Sequence, residues 1–311
     1  MSIHVPVLLH EILAAFSGEE GLKISKSSRW YLDGTLGGAG HALALAVAFQ
    51  KNTGKKLNII GLDRDQLAIN HAQELLKDKT DQLILENENY RNLDKVLDNH
   101  QIPKVDFILL DLGISSDELD NSGRGFTFMK DEPLLMTMGD PTDYHFTAKD
   151  IVNNWKEEDI ANVIFGYGED KFARRIARYI VQYREKKPIE TTMELAEIVK
   201  NAVPRSFNSF GRKPIHPATK TFQALRIAVN DELGALREGL TKGFDRLAPG
   251  GRMAVISFHS LEDRIVKEFF KNKKETGEAS ILTKKPVTAI DQEIAENPRS
   301  RSAKLRVISK Q

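Results

Sequence analysis

Short apolar runs alternate with helical patterns through the first 111 residues, and this alternation constrains the fold more than any other feature. The apolar runs occupy residues 30–32, 57–62, 82–86 and 105–110, and residues 67–76 carry apolar side chains at helical spacing. Buried parallel strands joined by crossover helices produce such an alternation. We therefore predict a doubly wound α/β domain.

The alternation breaks off after the fourth apolar run. Residues 117–144 are rich in Gly, Asp and Pro, as in a long loop, and several helix signatures follow without strands between them. Two of these signatures are capping boxes, Thr147-x-x-Asp150 and Thr191-x-x-Glu194, in which both side chains satisfy free N–H groups of a first helical turn. The predicted segments are the first part of the core domain (1–116), an inserted helical domain (117–215) and the second part of the core (216–311).

The α/β pattern resumes after Pro217. Apolar residues at helical spacing between positions 225 and 247 predict one helix that ends at Pro249-Gly250-Gly251. The predicted elements that follow are a strand over 253–258, a helix opened by the capping box Ser260-x-x-Asp263, and a closing hairpin of 280–282 with 304–308. The core domain is therefore predicted to be split around the insert.

The composition excludes several classes of protein. The chain contains no cysteine, which rules out disulfides, thiolate metal sites and a cysteine nucleophile, and we predict no metal site. The net charge of +1 requires any nucleic-acid surface to be a local patch. No stretch approaches the roughly 20 apolar residues of a membrane span, and residues 1–13 lack the features of a signal peptide. We expect a cytoplasmic protein with no membrane partner.

A glycine cluster, Asp-Gly-Thr-Leu-Gly-Gly-Ala-Gly-His at 33–41, stands between the first strand and a helical run. Glycines there let the backbone approach a ligand, and the helix N-terminus offers free N–H groups; the alternative is a tight turn without a ligand. The dinucleotide fingerprint G-x-G-x-x-G fails, because counting from Gly38 its third glycine falls on Leu43. Asp33 before the loop suits a cofactor that has an amino group and no pyrophosphate, as S-adenosylmethionine does.

Candidate ligand-binding side chains follow three of the strands. Asp63 ends the second strand, where a carboxylate can accept both ribose hydroxyls, and Tyr90 follows the third, where its ring can lie against an adenine. Asp111 ends the fourth strand, and Ser115 and Ser116 stand in the turn after it. The structural alternatives are turn-capping aspartates and a core tyrosine. The positions at carboxyl ends of strands favour a site.

Three further segments are candidates for substrate binding. A histidine follows the strand of the second core part, and cationic side chains line one face of the amphipathic helix predicted over 171–183. Residues 299–311 contain five Lys or Arg and no acid, which is typical of either a phosphate-binding segment or a solvated tail. The residues predicted to contact substrate are His259, Arg174, Arg178, Arg299 and Arg301.

Together these motifs resemble the bacterial small-subunit rRNA cytosine-N4 methyltransferases, the RsmH or MraW family, nearly end to end. The resemblance rests on residues 4–9, 33–41, 61–65, 111–116, 124–126, 216–219, 221–230, 257–264 and 297–303. It implies a Rossmann-like class I S-adenosylmethionine-dependent methyltransferase sheet with a helical insert. It also implies a target, the N4 amino group of a cytosine in the decoding region of 16S rRNA on the assembled small ribosomal subunit, with no DNA substrate.

The resemblance also assigns site residues. The family's cofactor contacts fall on Ala39, Gly40, His41, Asp63, Tyr90 and Asp111. A further contact that is usually Gln is Glu118 here, and a carboxylate accepts hydrogen bonds but cannot donate as an amide does. The family's Pro-Leu-Asp-Met-Arg-Met stands here with Leu135 and Thr137 in place of Asp and Arg, which suggests an ion pair replaced as a unit.

A cytosine amino group is a poor nucleophile, because its lone pair is delocalised into the ring. Alignment of this nitrogen and an acceptor for its N–H would therefore carry most of the catalysis. Asp111, Ser115 and Ser116 are the candidates for that role, and the helical insert is expected to help form the cleft that receives an unpaired base. Two other interpretations stay open: an NAD-dependent oxidoreductase of the same fold class, and a non-catalytic RNA-binding or assembly factor.

Overall fold

The structure, a computed structural model, describes residues 6–17, 29–204 and 216–311. Part of the first family motif (4–5) and the end of the predicted insert (205–215) lie outside these residues, as does the side chain of Ser116. None of the described helices combines the length and apolar character needed to cross a membrane. The chain divides into two compact units, Met1–Gly113 with Leu233–Gln311, and Ile114–Glu232.

The elements alternate in the order that the sequence predicts. The strands are β1 (Trp30–Asp33), β2 (Leu57–Asp63), β3 (Thr80–Asn87), β4 (Val105–Asp111), β5 (Leu247–Ser257), β6 (Ala279–Ile281) and β7 (Lys304–Lys310). The helices are α1 (Leu9–Ser17), α2 (Gly40–Thr53), α3 (Gln66–Leu76), α4 (Leu93–Asn99), α5 (Ser116–Asn121), α6 (Ala148–Asn154), α7 (Glu157–Gly168), α8 (Ala173–Arg184), α9 (Thr192–Ala202), α10 (Ala218–Asn230), α11 (Glu232–Arg246), α12 (Ser260–Glu275) and α13 (Asp291–Glu296).

The first unit is built on a single sheet. Its described strands lie in the order β3-β2-β1-β4-β5-β7-β6, with β1 to β5 parallel and β7 antiparallel to both of its neighbours. This confirms the doubly wound α/β prediction and the closing hairpin. The strand order reverses between β1 and β4, and open α/β sheets bind ligands beyond the carboxyl ends of strands at such a point.

Both faces of this sheet are covered. Ile59 and Leu109 pack in one buried cluster, while the next residues of the same strands, Ile60 and Leu110, pack in the other. Successive strand residues point to opposite faces, so a sheet covered on both sides needs apolar residues throughout. This explains why the central strands are continuous apolar runs.

The second unit is helical and has its own buried core. Apolar residues from α6 to α10 form that core, among them Ile151, Ile176 and Phe222. Buried Asn230 ties the loop before α6 to α10: its Nδ2 donates to the carbonyl of Met136 at 2.7 Å, and its Oδ1 accepts from the N–H of Met138 at 2.9 Å. The capping boxes at Thr147 and Thr191 are both present, as predicted.

Two helix predictions in the second core segment are wrong. The helix expected over 225–247 is two helices, because Asp231 takes a left-handed conformation (φ 46°) that ends α10. Since α10 packs in the helical core, the second unit runs to Glu232, past the predicted boundary at 215. The capping box at the start of α12 is formed by His259 and Glu262 instead of Ser260 and Asp263.

The basic C-terminal segment is not a solvated tail. Residues 298–302 form a 3₁₀ helix, and the residues after them form β7, which lies between β5 and β6. Arg306 binds Asp263 through two hydrogen bonds of 2.7 and 3.2 Å, and Lys310 donates to the carbonyl of Phe244. These two cations therefore have partners within the fold.

Candidate cofactor and active site

Three carboxylates end three adjacent parallel strands. Asp33 ends β1, Asp63 ends β2 and Asp111 ends β4, and β1 pairs with both β2 and β4. Because carboxyl ends of parallel strands meet at one edge, the three side chains share the edge at which the strand order reverses. We call these three residues the acidic edge.

Asp33 is the most deeply buried of the three, with 1% of its surface exposed. The Tyr31 hydroxyl donates to its Oδ2 at 2.7 Å, and the N–H of Thr35 donates to its Oδ1 at 3.2 Å. Burial raises the pKa of Asp33 to about 6, although both hydrogen bonds lower the pKa. The sequence singled out this carboxylate, and the structure shows it held in a fixed orientation.

The glycine loop is pressed against the sheet. The N–H of Gly34 donates to the carbonyl of Leu109, and a Cβ at Gly34 would lie 2.5 Å from Cδ2 of Leu110. Ala39, completely buried, takes a left-handed conformation (φ 57°) and is the N-cap of α2 without any side-chain cap. Such backbone strain in a residue with a Cβ is typical of ligand-binding turns. The N-cap side chain satisfies none of the first N–H groups of α2, and a helix N-terminus of this kind suits an anionic group.

Asp63 fastens this loop to β2. Its Oδ2 accepts from the N–H of Gly37 at 2.7 Å and its Oδ1 from the N–H of Asp65 at 2.8 Å. Each carboxylate oxygen has two lone pairs, so both can accept a further hydroxyl. Burial raises the pKa of Asp63, and the two backbone N–H groups oppose that rise. The side chain therefore has a structural role in the loop as well as the predicted capacity for ribose hydroxyls.

Asp111 has an unsatisfied carboxylate oxygen. Among the described residues its buried Oδ1 has no hydrogen-bond partner, while its backbone N–H donates to the Thr35 hydroxyl at 2.6 Å. Burial first, and then the charges of Asp33 and Glu262, hold its pKa well above the usual range. An orphaned buried acceptor is costly unless a ligand or a proton completes it.

His41 lies beside Asp111. Its Nε2 is 2.9 Å from the carbonyl of Val7, which only accepts, so Nε2 carries the proton. In the neutral ring Nδ1 is then an acceptor, 3.7 Å from Oδ2 of Asp111. This arrangement suits a protonated Asp111 in the absence of a cationic partner.

Tyr90 begins a short 3₁₀ helix after β3 and is half-buried. A Cβ added to Gly34 would lie 3.0 Å from Cβ of Tyr90, and one added to Gly239 would lie 2.5 Å from Cδ2 of its ring. The tyrosine thus packs between the glycine loop and α11. Its ring is a core contact on one side, and the predicted adenine contact remains a prediction.

His259 follows β5 at the same edge of the sheet, as the sequence predicts. It is the N-cap of α12, and its partner in the capping box, Glu262, is a buried carboxylate that the sequence interpretation missed. The available signal was an acid three residues after a histidine at a strand end. The structure places a fourth carboxylate close enough to act on Asp111.

Ser115 and Glu118 belong to the second unit and cap α5 reciprocally. The Ser115 hydroxyl oxygen accepts from the N–H of Glu118, and Glu118 Oε2 accepts from the N–H of Ser115 at 2.9 Å. Glu118 Oε1 also lies 3.6 Å from Nη2 of Arg124. Both side chains therefore have a helix-capping role, and their catalytic and cofactor roles remain predictions. Ser116 is the first residue of α5.

The two departures from the family pattern also lie in this unit. Leu135 is half-buried, and Thr137 is completely buried with a hydroxyl that has no hydrogen-bond partner among the described residues. Nothing in the structure explains these two residues further.

The predicted substrate-binding arginines are distributed over both units. Arg174 and Arg178 are exposed on α8, and Nε of Arg178 lies 3.9 Å from Oε1 of Glu157. Arg301 is exposed and Arg299 is half-buried in the 3₁₀ helix before β7. Their contact with a substrate remains a prediction.

The whole chain is similar to one family of known proteins. Residues 1–311 match the model of the MraW methylase family. The chain belongs to the MraW methylase family. It is therefore a methyltransferase, and the predictions of that activity and of S-adenosylmethionine as methyl donor are confirmed. The oxidoreductase alternative is wrong.

Curated relatives are similar to this chain over nearly its full length. The chain is 49% identical over 304 residues to ribosomal RNA small subunit methyltransferase H of Deinococcus deserti, covering 98% of this chain and 92% of the relative. It is 48% identical to the protein of that name from Sulfurihydrogenibium sp., and the match covers 93% of this chain and 96% of that relative. Among solved structures it is similar to an rRNA methylase from Streptococcus thermophilus. The match has 12% identity and a TM-score of 0.42, and it covers 97% of this chain and 93% of that structure.

Proposed function

We propose that this member of the family methylates the N4 amino group of one cytosine in the decoding region of small-subunit (16S) rRNA. The substrate is the assembled small subunit, in the cytoplasm. The names of the curated relatives support the rRNA substrate. The amino-group target is supported by one observation above all, the buried Oδ1 of Asp111 without a hydrogen-bond partner.

The acidic edge fits the methyl donor. S-adenosylmethionine supplies a methyl group on a positively charged sulfonium, together with an ammonium group and two ribose hydroxyls. Asp33, Asp63 and Asp111 offer carboxylates to such groups, and the uncapped N-terminus of α2 offers N–H donors to a carboxylate. Ala39, Gly40, His41 and Tyr90 complete the proposed cofactor site, and Glu118 is the member that has lost the family's amide donor.

Asp111 is the proposed acceptor for the reacting amino group. S-adenosylmethionine would supply the methyl carbon and leave as S-adenosylhomocysteine, and the methylated nitrogen would pass one proton to the Asp111 carboxylate. A carboxylate that accepts a hydrogen bond from this N–H orients the nitrogen and takes up positive charge as it develops. Ser115 and Ser116 are the secondary candidates, since they follow Asp111 in the chain.

The protonation of Asp111 depends on what binds beside it. Burial and neighbouring carboxylates favour the protonated acid, as its raised pKa shows. A positive charge at the same edge favours the ionised form. We infer that Asp111 becomes an acceptor when the cationic methyl donor is present.

Substrate contacts are proposed for His259 and for the four arginines Arg174, Arg178, Arg299 and Arg301. Exposed guanidinium groups suit phosphates, and they position RNA without reading its sequence. A base whose amino group must reach a buried carboxylate has to be unpaired or extruded from its helix. The combination predicts salt-dependent binding of the RNA and a deep site for one base.

Transfer of a labelled methyl group tests this proposal. The chain is incubated with S-adenosylmethionine carrying a deuterated methyl group and with small subunits from cells lacking the family member, with deproteinised rRNA from those subunits, or with DNA of the same local sequence. Nucleosides are then identified by mass spectrometry. We expect labelled N4-methylcytidine from subunits, much less from bare rRNA and none from DNA.

Two results would contradict the proposal. Label on another nucleoside, or on a ring carbon, would remove the amino-group target. Tight binding of S-adenosylmethionine with no transfer to any of these substrates would instead favour the non-catalytic assembly factor.

A further inference from the structure

Glu262 is a carboxylate buried more deeply than a helix cap requires. It accepts from the N–H groups of Phe258 at 2.8 Å and His259 at 3.2 Å, and 3% of its side chain is exposed. The acid in the corresponding box of α9, Glu194, has 22% of its side chain exposed. Burying a charge is unfavourable, and an exposed Glu or Gln completes a capping box equally well. Capping alone therefore does not account for Glu262.

The residue at the N-cap is also unusual. Ser, Thr, Asp and Asn are the preferred N-cap residues, and the described capping boxes of the second unit use Ser115, Thr147 and Thr191. Here the N-cap is His259, whose side chain is 10% exposed. A histidine in this position gains no capping advantage, which points to a role for its ring.

Glu262 faces both nitrogens of this ring. The Nδ1 of His259 accepts from the N–H of Glu262 at 3.4 Å, so the neutral ring carries its proton on Nε2. Nε2 lies 3.2 Å from Oε1 of Glu262, yet the described residues offer it no well-directed hydrogen bond. One residue thus determines the orientation and the tautomer of the imidazole and leaves Nε2–H as a donor.

The pair follows the strand that neighbours the strand of Asp111. Strands β4 and β5 are neighbours, Asp111 is paired with Ile256, and the N–H of Leu112 donates to the carbonyl of Ile256 at 2.9 Å. The titratable groups of this unit that interact with Asp111 are Tyr31 and Asp33 on β1, His41 on α2 and Glu262 on α12. Glu262 therefore contacts His259 directly and acts on Asp111 electrostatically.

We propose that Glu262 is a positioning residue for methyl transfer, which holds His259 as an N–H donor beside the acceptor Asp111. This inference rests on the proposed function. An acceptor next to a fixed donor matches the amino group and ring nitrogen of a cytosine, whereas uracil presents a carbonyl and an N–H at those positions. The pair would therefore contribute to the selection of cytosine as well as to its alignment.

The test compares Glu262→Gln with Glu194→Gln, a matched change in the box of α9. A glutamine oxygen still accepts from both backbone N–H groups, so melting temperatures should stay close to that of the parent. With S-adenosylmethionine and subunits saturating, we expect Glu262→Gln to slow single-turnover transfer roughly 10–100-fold. Glu194→Gln should transfer at the parental rate.

A pH profile separates positioning from folding. Removal of the Glu262 charge lowers the pKa of Asp111, because like charge raises it. If transfer needs ionised Asp111, the acid limb of the pH–rate profile must move to lower pH in Glu262→Gln. A parental rate with an unmoved acid limb overturns the proposal.

A second variant covers the case in which Glu262→Gln does not fold. Asparagine is a favoured N-cap, so His259→Asn keeps the helix start and removes only the ring. We expect a similar loss of rate, and no further loss when both changes are combined, because Glu262 acts through His259. A parental rate in folded His259→Asn overturns the proposal.

Side-chain ¹⁵N spectra of histidine-labelled protein provide a readout without RNA. The parent should show His259 as the Nε2–H tautomer. In Glu262→Gln the backbone N–H still favours an unprotonated Nδ1, but the amide NH2 takes the place of Oε1 opposite Nε2 and favours an unprotonated Nε2. We therefore expect a mixture of tautomers in this variant, with the resonance assigned by its loss in His259→Asn. An unchanged tautomer contradicts the proposal. Failure of the parent to methylate subunits would contradict the proposed function but leave this tautomer measurement interpretable.

Discussion

The acidic edge of the first unit and the basic face of α8 in the second unit (Arg174, Arg175 and Arg178) are built in opposite ways. Backbone N–H groups orient Asp33 and Asp63 within the fold, and Asp111 is largely buried beside them. These three arginines are exposed, and Nε of Arg178 lies 3.9 Å from Oε1 of Glu157. Buried charges act strongly over short distances, whereas exposed charges are screened by salt.

The two regions are therefore suited to different tasks. Fixed, poorly solvated carboxylates suit recognition of a small cationic cofactor and the alignment of one reacting group. Exposed cations suit a large polyanion whose approach depends on ionic strength. Changes at the acidic edge should therefore affect cofactor affinity and rate, and changes on α8 should affect substrate affinity alone.

Substitution of Asp111 should change the rate of methyl transfer more than any other change considered. Asp111→Asn keeps the shape of the side chain but removes the negative acceptor, so methyl transfer to small subunits should fall by about 10²–10⁴-fold. Single-turnover rates with S-adenosylmethionine saturating measure this, because Asp111 also contributes to the proposed cofactor site. A near-normal rate would reduce Asp111 to a cofactor ligand and direct attention to Ser115, Ser116 and His259.

The next effect is on cofactor affinity. Asp63→Ala removes a charged acceptor of the ribose hydroxyls, worth about 1.5–3 kcal/mol, or roughly 10–150-fold in the dissociation constant measured by calorimetry. Asp65→Asn is the matched control, since Asp65 caps α3 through the N–H of Leu67 and asparagine caps equally well. If folded Asp63→Ala binds the cofactor with an unchanged dissociation constant, Asp63 does not contact the ribose and only holds the glycine loop.

The third prediction concerns stability. The folded pKa of Asp33, about 6, lies above its ordinary value, so the stability linked to this group is present below about pH 4 and lost as pH rises through about 6. Asp33→Asn should therefore flatten the pH dependence of the free energy of unfolding between pH 4 and pH 7, a change separate from the pH-independent cost of replacing one of two accepting oxygens by an N–H donor. Urea unfolding between pH 4 and pH 8 measures this, with Asp65→Asn again as control. If the free energy of unfolding has the same pH dependence in parent and variant, Asp33 does not cause the loss of stability between pH 4 and pH 7.

The smallest effect is expected on α8. Reversal of Arg174 and Arg178 to Glu should weaken subunit binding several-fold and reduce the slope of log affinity against log salt by about 1–2. Lys267→Glu with Lys271→Glu is the matched control, because these two lysines are also exposed and one helical turn apart, on α12. If both pairs behave alike, the arginines of α8 are a solvated surface.

The sequence predicts the acidic edge well because buried parallel strands are continuous apolar runs. The ends of β2 and β4 are visible as the places where Asp63 and Asp111 interrupt such runs. Their position along the edge follows from topology alone. The burial of Asp33 and the orphaned oxygen of Asp111 depend on packing between distant segments, which no local pattern reports.

The errors have the same physical origin. The start of α12 offers two possible capping boxes, His259 with Glu262 and Ser260 with Asp263. Arg306, 43 positions further along the chain, binds Asp263, so Glu262 is the acid that completes the box. Asp231 ends α10 in a left-handed conformation, and an Asp within a helical pattern does not by itself predict that conformation. The cations of β7 look like a tail in composition, yet the alternation of Lys304-Leu305-Arg306-Val307 is that of a strand.

The most direct measurement of the division between the two regions is a single-turnover titration with small subunits, S-adenosylmethionine saturating throughout. For Arg174→Glu with Arg178→Glu, we expect the half-saturating subunit concentration to rise and the maximal rate to return to that of the parent. For Asp111→Asn, we expect the half-saturating concentration to stay and the maximal rate to remain about 10²–10⁴-fold lower. A lowered maximal rate in the arginine variant, or recovery of Asp111→Asn at high subunit concentration, would contradict the division of binding and chemistry between the units.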